Sequence, residues 1–147
     1  MSVKIFVPGD SGAIAVGADK VAKAIASEAA NRGLDVTIVR NGSRGMYWLE
    51  PMVEVETANG RVAYGPVKPA DVPGLLDAGL VSGGAHALNL GLTEEIDFFK
   101  RQTRLTFARC GLTDPLSLDD SRAHGSLVGL GQALAMPPPA IVPHLPE

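Results

Sequence analysis

The loop Gly9–Gly17 contains residue types that could do chemistry. Residues 9–12 spell Gly-Asp-Ser-Gly, the tetrapeptide around the nucleophile of trypsin-like serine proteases. In those proteases the catalytic histidine precedes the serine along the chain, whereas the first histidine here is His86. The order of the residues therefore does not support a protease.

The same loop has the glycine spacing that opens a phosphate-binding loop. Gly12 and Gly17 enclose four residues, but Ala18 and Asp19 stand where lysine and serine or threonine should follow. Without that lysine no cation neutralises a phosphate, and Asp19 would repel it. A strand-to-helix turn is the favoured interpretation. A small nucleotide-binding protein or enzyme that uses Gly9–Gly17 stays open as the alternative.

The other potential ligands and nucleophiles are scattered along the chain. The histidines are His86, His124 and His144, and their spacing does not point two rings at one metal ion. The single cysteine, Cys110, excludes a disulfide within the chain and a metal site of several thiolates. We expect Cys110 to be a packed thiol rather than a nucleophile.

Two aromatic residues, Tyr47 and Trp48, lie with Arg44 in a glycine-rich stretch. Aromatic side chains in such a loop either mark a binding surface or anchor the loop on the core, and the pattern favours neither. We retain Arg44, Tyr47 and Trp48 as candidate interaction residues. We predict no catalytic, cofactor-binding or metal-binding residue.

Composition narrows the class of protein and its partners. The 147 residues are 46% hydrophobic and 20% charged, with a formal net charge of -3. They suit one domain of ordinary size, and a chain without a long basic run is not expected to bind nucleic acid. No apolar stretch reaches the roughly 18 residues of a spanning helix, so we expect no membrane insertion. The near absence of cysteine suits a cytoplasmic protein.

The elements that must position these loops follow a β-α-β pattern. Residues 3–7 predict a buried strand, and residues 36–39 predict a second strand parallel to it. Between them, residues 18–32 have apolar side chains at helical spacing. Next, Asn59-Gly60 between two alternating runs predicts a hairpin, and a helical stretch begins at Pro69. This order predicts an α/β fold with a thioredoxin-like layer.

We divide the chain into a thioredoxin-like domain (1–81), a glycine-bearing linker (82–92), a short helical extension (93–136) and a proline-rich tail (137–147). In the extension, Ser117 and Asp120 predict the start of a helix, and Leu127–Met136 predicts another. The tail should be extended or disordered.

Residues 102–125 carry a specific resemblance to a known family. The run Gln-Thr-Arg-Leu-Thr-Phe-Ala-Arg-Cys-Gly-Leu-Thr-Asp-Pro-Leu-Ser-Leu-Asp-Asp at 102–120 resembles the NADH- and FMN-binding (diaphorase, beta) subunit of NAD-dependent formate dehydrogenases, a relative of the NADH-binding subunit of complex I. Tyr64–Val72 matches a second run of that family. The resemblance covers residues 3–136 and implies that residues 93–136 lead towards a flavin domain.

The resemblance also includes the thioredoxin-like, 2Fe-2S ferredoxin-like domain at the start of such subunits, where four cysteines in two loops can hold a cluster. Here Pro8 and Ala13 match the cysteine positions of the first loop, and Ser43 and Tyr47 match those of the second. These side chains do not supply a thiolate ligand to iron. The resemblance therefore implies a scaffold that has lost its cluster, with no cofactor in this chain.

For the full-length parent, the resemblance implies electron transfer through iron–sulfur centres and FMN to NAD. The flavin- and NADH-binding loop of the family is expected beyond Ala135, and this sequence ends at Glu147. We therefore expect a truncated form that is not an enzyme by itself. Its expected role is a non-catalytic scaffold that contacts other formate dehydrogenase subunits.

Overall fold

A mixed five-stranded sheet forms the centre of the computed structural model, which describes residues 2–144. The strands lie in the order β2-β1-β3-β4-β5. They are β1 (Val3–Phe6), β2 (Val36–Val39), β3 (Val53–Thr57), β4 (Gly60–Tyr64) and β5 (Asn89–Leu92). β1 and β2 are parallel, and the other neighbouring pairs are antiparallel. The predicted β-α-β unit, the hairpin and the α/β class are confirmed.

Helices cover one face of the sheet. They are α1 (Ser11–Ala15), α2 (Ala18–Asn31) and α3 (Val72–Asp77). The apolar stripe of α2, which includes Val21 and Ile25, shares a buried cluster with Ile5 of β1 and Val55 of β3. Each such side chain stabilises the fold by about 1.5–3 kcal/mol through burial. Gly33, with a φ of 65°, follows the end of α2 in the left-handed conformation that glycine adopts readily.

The residues after β5 cover the opposite face. Helix α4 (Asp97–Lys100) places Phe99 in a second apolar cluster with Met46, Met52 and Ala63. Because both faces are covered, the three consecutive β3 residues 53–55 are all buried. The alternation of buried and exposed residues that is typical of a one-sided sheet is therefore lost in β3.

Two further helices, α5 (Leu118–Ala123) and α6 (Val128–Leu134), follow in the extension. Ser117 caps α5 as predicted, because its Oγ accepts a hydrogen bond of 3.1 Å from the Asp120 amide. Leu127, which precedes α6, has a φ of 63°. Within residues 2–144, no helix is both long enough and apolar enough to cross a membrane.

Two segments differ from their predicted structure. The segment predicted as a linker, 82–92, contains β5, which pairs with β4 through Val62 and Leu92. Its sequence lacks β-branched residues, so pairing with β4 rather than local preference makes it a strand. The predicted extended tail instead contains helix α7 (Pro138–His144), whose first turn tolerates Pro138 and Pro139, and which also includes Pro143 near its end. Residues 145–147 of the tail lie outside the described residues.

Candidate functional site

The two loops that the resemblance assigns to a cluster, the first at residues 8–13 and the second at residues 43–47, lie side by side. They follow β1 and β2, and parallel neighbours bring their carboxyl ends to the same edge of a sheet. The Gly9 amide donates a hydrogen bond of 2.8 Å to the Asn41 carbonyl. A methyl group built on Gly12 would lie 3.6 Å from the Tyr47 ring. Residues far apart in sequence thus form one surface.

The side chains at the four cysteine-equivalent positions do not fit an iron–sulfur cluster. Pro8 and Tyr47 carry no sulfur, and Ala13 is fully buried. The Ser43 hydroxyl is occupied, because it donates to Glu50 Oε1 at 2.8 Å and accepts from the Gly45 amide at 3.0 Å. Among residues 2–144, no group of three or more histidine, cysteine, aspartate or glutamate side chains could hold a metal ion.

Glu50 organises the second loop from within. Its carboxylate accepts from Ser43 and, at 2.9 Å, from the Met52 amide. Burial raises the pKa of Glu50, and the two hydrogen bonds oppose that rise without cancelling it. The loop is therefore held by a buried carboxylate rather than by a cluster.

Arg44, retained above as a candidate interaction residue, has a side chain that is only 5% exposed, so it is not part of an open surface. Its guanidinium forms two parallel hydrogen bonds with Glu54, at 2.9 and 2.8 Å, and a third of 2.6 Å with Glu94. Thr93 also donates to Glu54, at 3.2 Å. This bidentate geometry satisfies both ions, so Arg44 belongs to the scaffold of the loop.

A second arginine ties the extension to the sheet. Arg61 donates from its two terminal nitrogens to the carbonyls of Gly111 and Leu112, each at 2.9 Å. Asn41 also donates to the Gly111 carbonyl, at 2.8 Å. Burial lowers the pKa of Arg61. Gly111 has a φ of 79°, and a side chain there would collide with Arg44, so this contact requires glycine.

A cleft of about 630 Å³ separates the second loop from the extension. Its lining includes Tyr47 from the loop and Phe98, Arg104, Phe107 and Cys110 from the extension. Cys110 is exposed, so the prediction of a packed thiol is wrong. The residues that carry the formate dehydrogenase resemblance thus form one wall of the cleft.

Of the other two predicted interaction residues, Tyr47 lines this cleft, and Trp48 lies on the surface against Phe98, another lining residue. They are 66% and 63% exposed. Trp48 packs edge-on against Phe98, with ring centroids 5.4 Å apart. Trp48 therefore fits both interpretations given above: it anchors the loop through its contact with Phe98, and much of its side chain is left in solvent as a candidate binding surface.

The alternative phosphate-binding role of Gly9–Gly17 meets a geometric obstacle. Helix α1 has five residues, and Asp10 Oδ1 accepts from the amides of Gly12 and Ala13 at 3.0 and 3.2 Å. These amides are the donors that a phosphate would need. Asp19 meanwhile pairs with Arg40 at 2.7 Å. Two amides of the loop are therefore already bonded to the loop's own carboxylate.

The sequence patterns did not single out Glu54, Arg61, Glu50 or Arg104. Glu54 lies between two valines in β3, where simple alternation predicts a solvent-facing carboxylate. Its burial depends on Arg44 and on residues of the extension. The available signal was the presence of opposite charges on neighbouring strands, which is common on exposed sheet faces too.

Solved structures with this fold include thioredoxin-like 2Fe-2S ferredoxins from Aquifex aeolicus. A cysteine-to-serine variant is 26% identical, with a TM-score of 0.50, over 60% of this chain and 98% of the ferredoxin. The wild-type ferredoxin is 22% identical, with a TM-score of 0.50, over 61% and 97%. A further structure is 21% identical, with a TM-score of 0.52, over 65% and 96%.

No protein-family model and no curated protein matches the chain. The structural matches confirm the predicted thioredoxin-like, ferredoxin-like fold. They span almost the whole ferredoxin, whereas a substantial part of this chain lies outside the match.

Proposed function

We propose that this chain is a non-catalytic docking module of an NAD-dependent formate dehydrogenase, corresponding to the first part of its NADH- and FMN-binding subunit. The observation that carries the proposal is the surface where the two loops meet. It presents Tyr47 and Trp48 to solvent and offers no thiolate at Pro8, Ala13 or Ser43. Exposed aromatic side chains on a rigid scaffold suit protein contact better than electron transfer.

The fold and the cleft support this role. The neighbours of known structure include ferredoxins, and a ferredoxin-like fold without cluster ligands retains the shape of an electron-transfer domain without its chemistry. The cleft joins the second loop to the residues that resemble the formate dehydrogenase subunit. The full-length subunit would pass electrons through iron–sulfur centres and FMN to NAD, while this part contributes contacts with the other subunits.

Affinity capture with the purified subunits of an NAD-dependent formate dehydrogenase tests the proposal. The tagged chain should retain one of these subunits, and the double variant Tyr47→Ser/Trp48→Ser should reduce capture by about tenfold because it removes two aromatic anchors. Leu116→Ser is the control, since Leu116 is also exposed but is not among the residues that line the cleft. Equal capture by the double variant and the wild type would reject this surface.

The competing nucleotide-binding function is tested by thermal unfolding with NADH, FMN or ATP. A ligand that binds only the folded chain raises its melting temperature by mass action. We expect no shift, because Asp10 occupies the amides of Gly12 and Ala13 and no lysine directly follows Gly17. We also expect no oxidation of NADH by the isolated chain. A saturable shift with one nucleotide would favour the alternative.

A further inference from the structure

The cleft between the second loop and the extension is apolar and carries cationic charge. Its apolar walls include Tyr47, Phe98, Leu105 and Phe107, and Arg104 lies among them. No aspartate or glutamate occurs among the described residues that line it. The cleft therefore differs in charge from the whole chain, whose net charge is -3.

Of the two arginines that line the cleft, Arg44 is paired with Glu54 and Glu94, whereas Arg104 forms no ion pair within residues 2–144, although Glu94 lines a neighbouring cavity with it. Arg104 donates to the Gln102 side chain at 3.1 Å and to the Arg44 carbonyl at 2.8 Å, and both acceptors are neutral. Its guanidinium also lies 4.8 Å from the centre of the Phe99 ring. These contacts hold the guanidinium in place and leave its charge available to a carboxylate.

Other basic residues close in sequence add to the positive charge of Arg104. Residues 98–113 contain Lys100, Arg101, Arg104 and Arg109 and no carboxylate. Lys100 is paired with Glu95 at 2.5 Å, whereas Arg109 donates only to backbone carbonyls. A cluster of one sign beside an apolar surface attracts an acidic partner and disfavours a basic one.

The shape of the cleft favours an extended segment over a small molecule. Leu105 is 83% exposed and Phe107 is 66% exposed, so the walls are open to solvent. A site for a small molecule normally encloses most of its ligand. A peptide can instead place one large side chain between these walls while its backbone continues along the rim.

We propose that this cleft binds an acidic, extended segment of a partner protein. One aromatic or leucine side chain of the segment packs against Phe98, Leu105 and Phe107, and a flanking carboxylate pairs with Arg104. The proposal rests on the docking role proposed above and names the chemistry of the partner. Charge complementarity and the exposed apolar walls together select this occupant.

Fluorescence anisotropy with labelled peptides tests the proposal on the full chain. The probe is Glu-Leu-Glu-Phe-Glu, and the matched peptides are Lys-Leu-Lys-Phe-Lys and Glu-Ser-Glu-Ser-Glu. We expect the probe to bind at least about tenfold more tightly than either matched peptide, because one lacks the charge and the other lacks the apolar side chains. Added salt should weaken its binding.

Variants locate the binding to the cleft. Arg104→Gln and Phe107→Ser should each weaken the affinity for the probe by about tenfold. Arg101→Gln removes the same charge from a residue that does not line the cleft, and it should change that affinity by less than about twofold. Melting temperatures check that the variants fold. Phe107 is exposed, so its variant keeps the test valid even if Arg104→Gln destabilises the chain.

Three results would overturn the proposal: equal binding of the glutamate and lysine peptides, equal weakening by Arg101→Gln and Arg104→Gln, or tighter binding of a single-stranded oligothymidylate than of the probe. Failure to capture formate dehydrogenase subunits, with peptide binding intact, would instead reject only the assembly proposed above. The two proposals can therefore fail separately.

Discussion

At the scale of single residues, the molecule depends on buried charges that are closely paired. Arg44 and Glu54 lie between the sheet and the extension, and their bidentate contact is supplemented by Thr93 and Glu94. A buried pair of this kind costs desolvation on both sides, so removing one partner is more harmful than removing both. This asymmetry can be measured.

We predict that Arg44→Met lowers the free energy of unfolding by about 3–5 kcal/mol, because Glu54 is left buried without its main partner. The double variant Arg44→Met/Glu54→Leu should recover much of that loss. Urea unfolding of the wild type and of all variants, Glu54→Leu included, completes the double-mutant cycle. A loss below about 1 kcal/mol in Arg44→Met would show that the pair is solvated.

Glu50 gives a prediction about pH. Its pKa is raised in the folded state, mainly by burial, so the folded chain binds this proton more tightly than the unfolded chain does. The contribution of Glu50 to stability is therefore present below the ordinary glutamate pKa and is lost as pH rises through the raised value. Glu50→Gln should remove this downward slope.

The measurement is chemical denaturation across the acidic pH range, comparing the change in unfolding free energy with pH between variants. Asp35→Asn is the control, because it removes an exposed carboxylate that forms no ion pair within residues 2–144, and it should keep the wild-type slope. If Glu50→Gln also keeps that slope, the carboxylate of Glu50 is not the group responsible.

At the scale of elements, the helices and turns set by nearby residues were predicted correctly. The features set by long-range contacts were not. Helix α2 and the hairpin at Asn59-Gly60 follow from periodicity and turn chemistry within a few residues. Strand β5 depends on hydrogen bonds to β4, and its own residues include Gly91 and no β-branched side chain. The burial of Arg44 depends on Glu94, fifty positions away. The residues next to Arg44 in the sequence therefore could not predict this contact.

The contact of Arg61 with the extension leads to a prediction for hydrogen exchange. Arg61→Lys keeps a positive charge near Glu54 but cannot hold both the Gly111 and Leu112 carbonyls. We expect amides of residues 108–113 to exchange about tenfold faster, corresponding to the loss of about 1.4 kcal/mol of local stability.

Amides of α2, on the other face of the sheet, should keep their exchange rates in this variant. Arg32→Lys serves as the control, because Arg32 contacts Glu28 and Asp77 on that face. Unchanged exchange at residues 108–113 in Arg61→Lys would mean that the extension is held by other contacts.

At the scale of the whole molecule, the sheet carries two different coverings. Helices α2 and α3 bury one face with apolar side chains, whereas the extension covers the other with a small apolar cluster and several ionic and carbonyl contacts. The ferredoxin-like part and the extension thus share one sheet. The resemblance predicted the ferredoxin-like fold. That the extension covers the second face largely through polar contacts could be seen only in the structure.

We predict that the purified chain binds no stoichiometric iron and shows no visible iron–sulfur absorption, because Pro8, Ala13, Ser43 and Tyr47 offer no thiolate. A quadruple variant with cysteine at these four positions should bind iron after anaerobic reconstitution. Iron per chain and the visible absorption spectrum are the measurements.

Both proteins should carry Cys110→Ser, so that the native thiol cannot contribute. Stoichiometric iron in the chain without the four new cysteines would contradict the prediction. A quadruple variant that folds but remains free of iron would contradict the assignment of the four positions.

Trp48 is the only tryptophan in the chain, and its indole packs against Phe98, which lines the cleft. Light absorbed selectively by indole is therefore emitted from one known place. The colour and intensity of that emission depend on how much water surrounds the ring, so the native chain contains its own optical reporter. Occupancy of the cleft can be followed by this intrinsic emission in dilute solution, without attaching a dye to the protein.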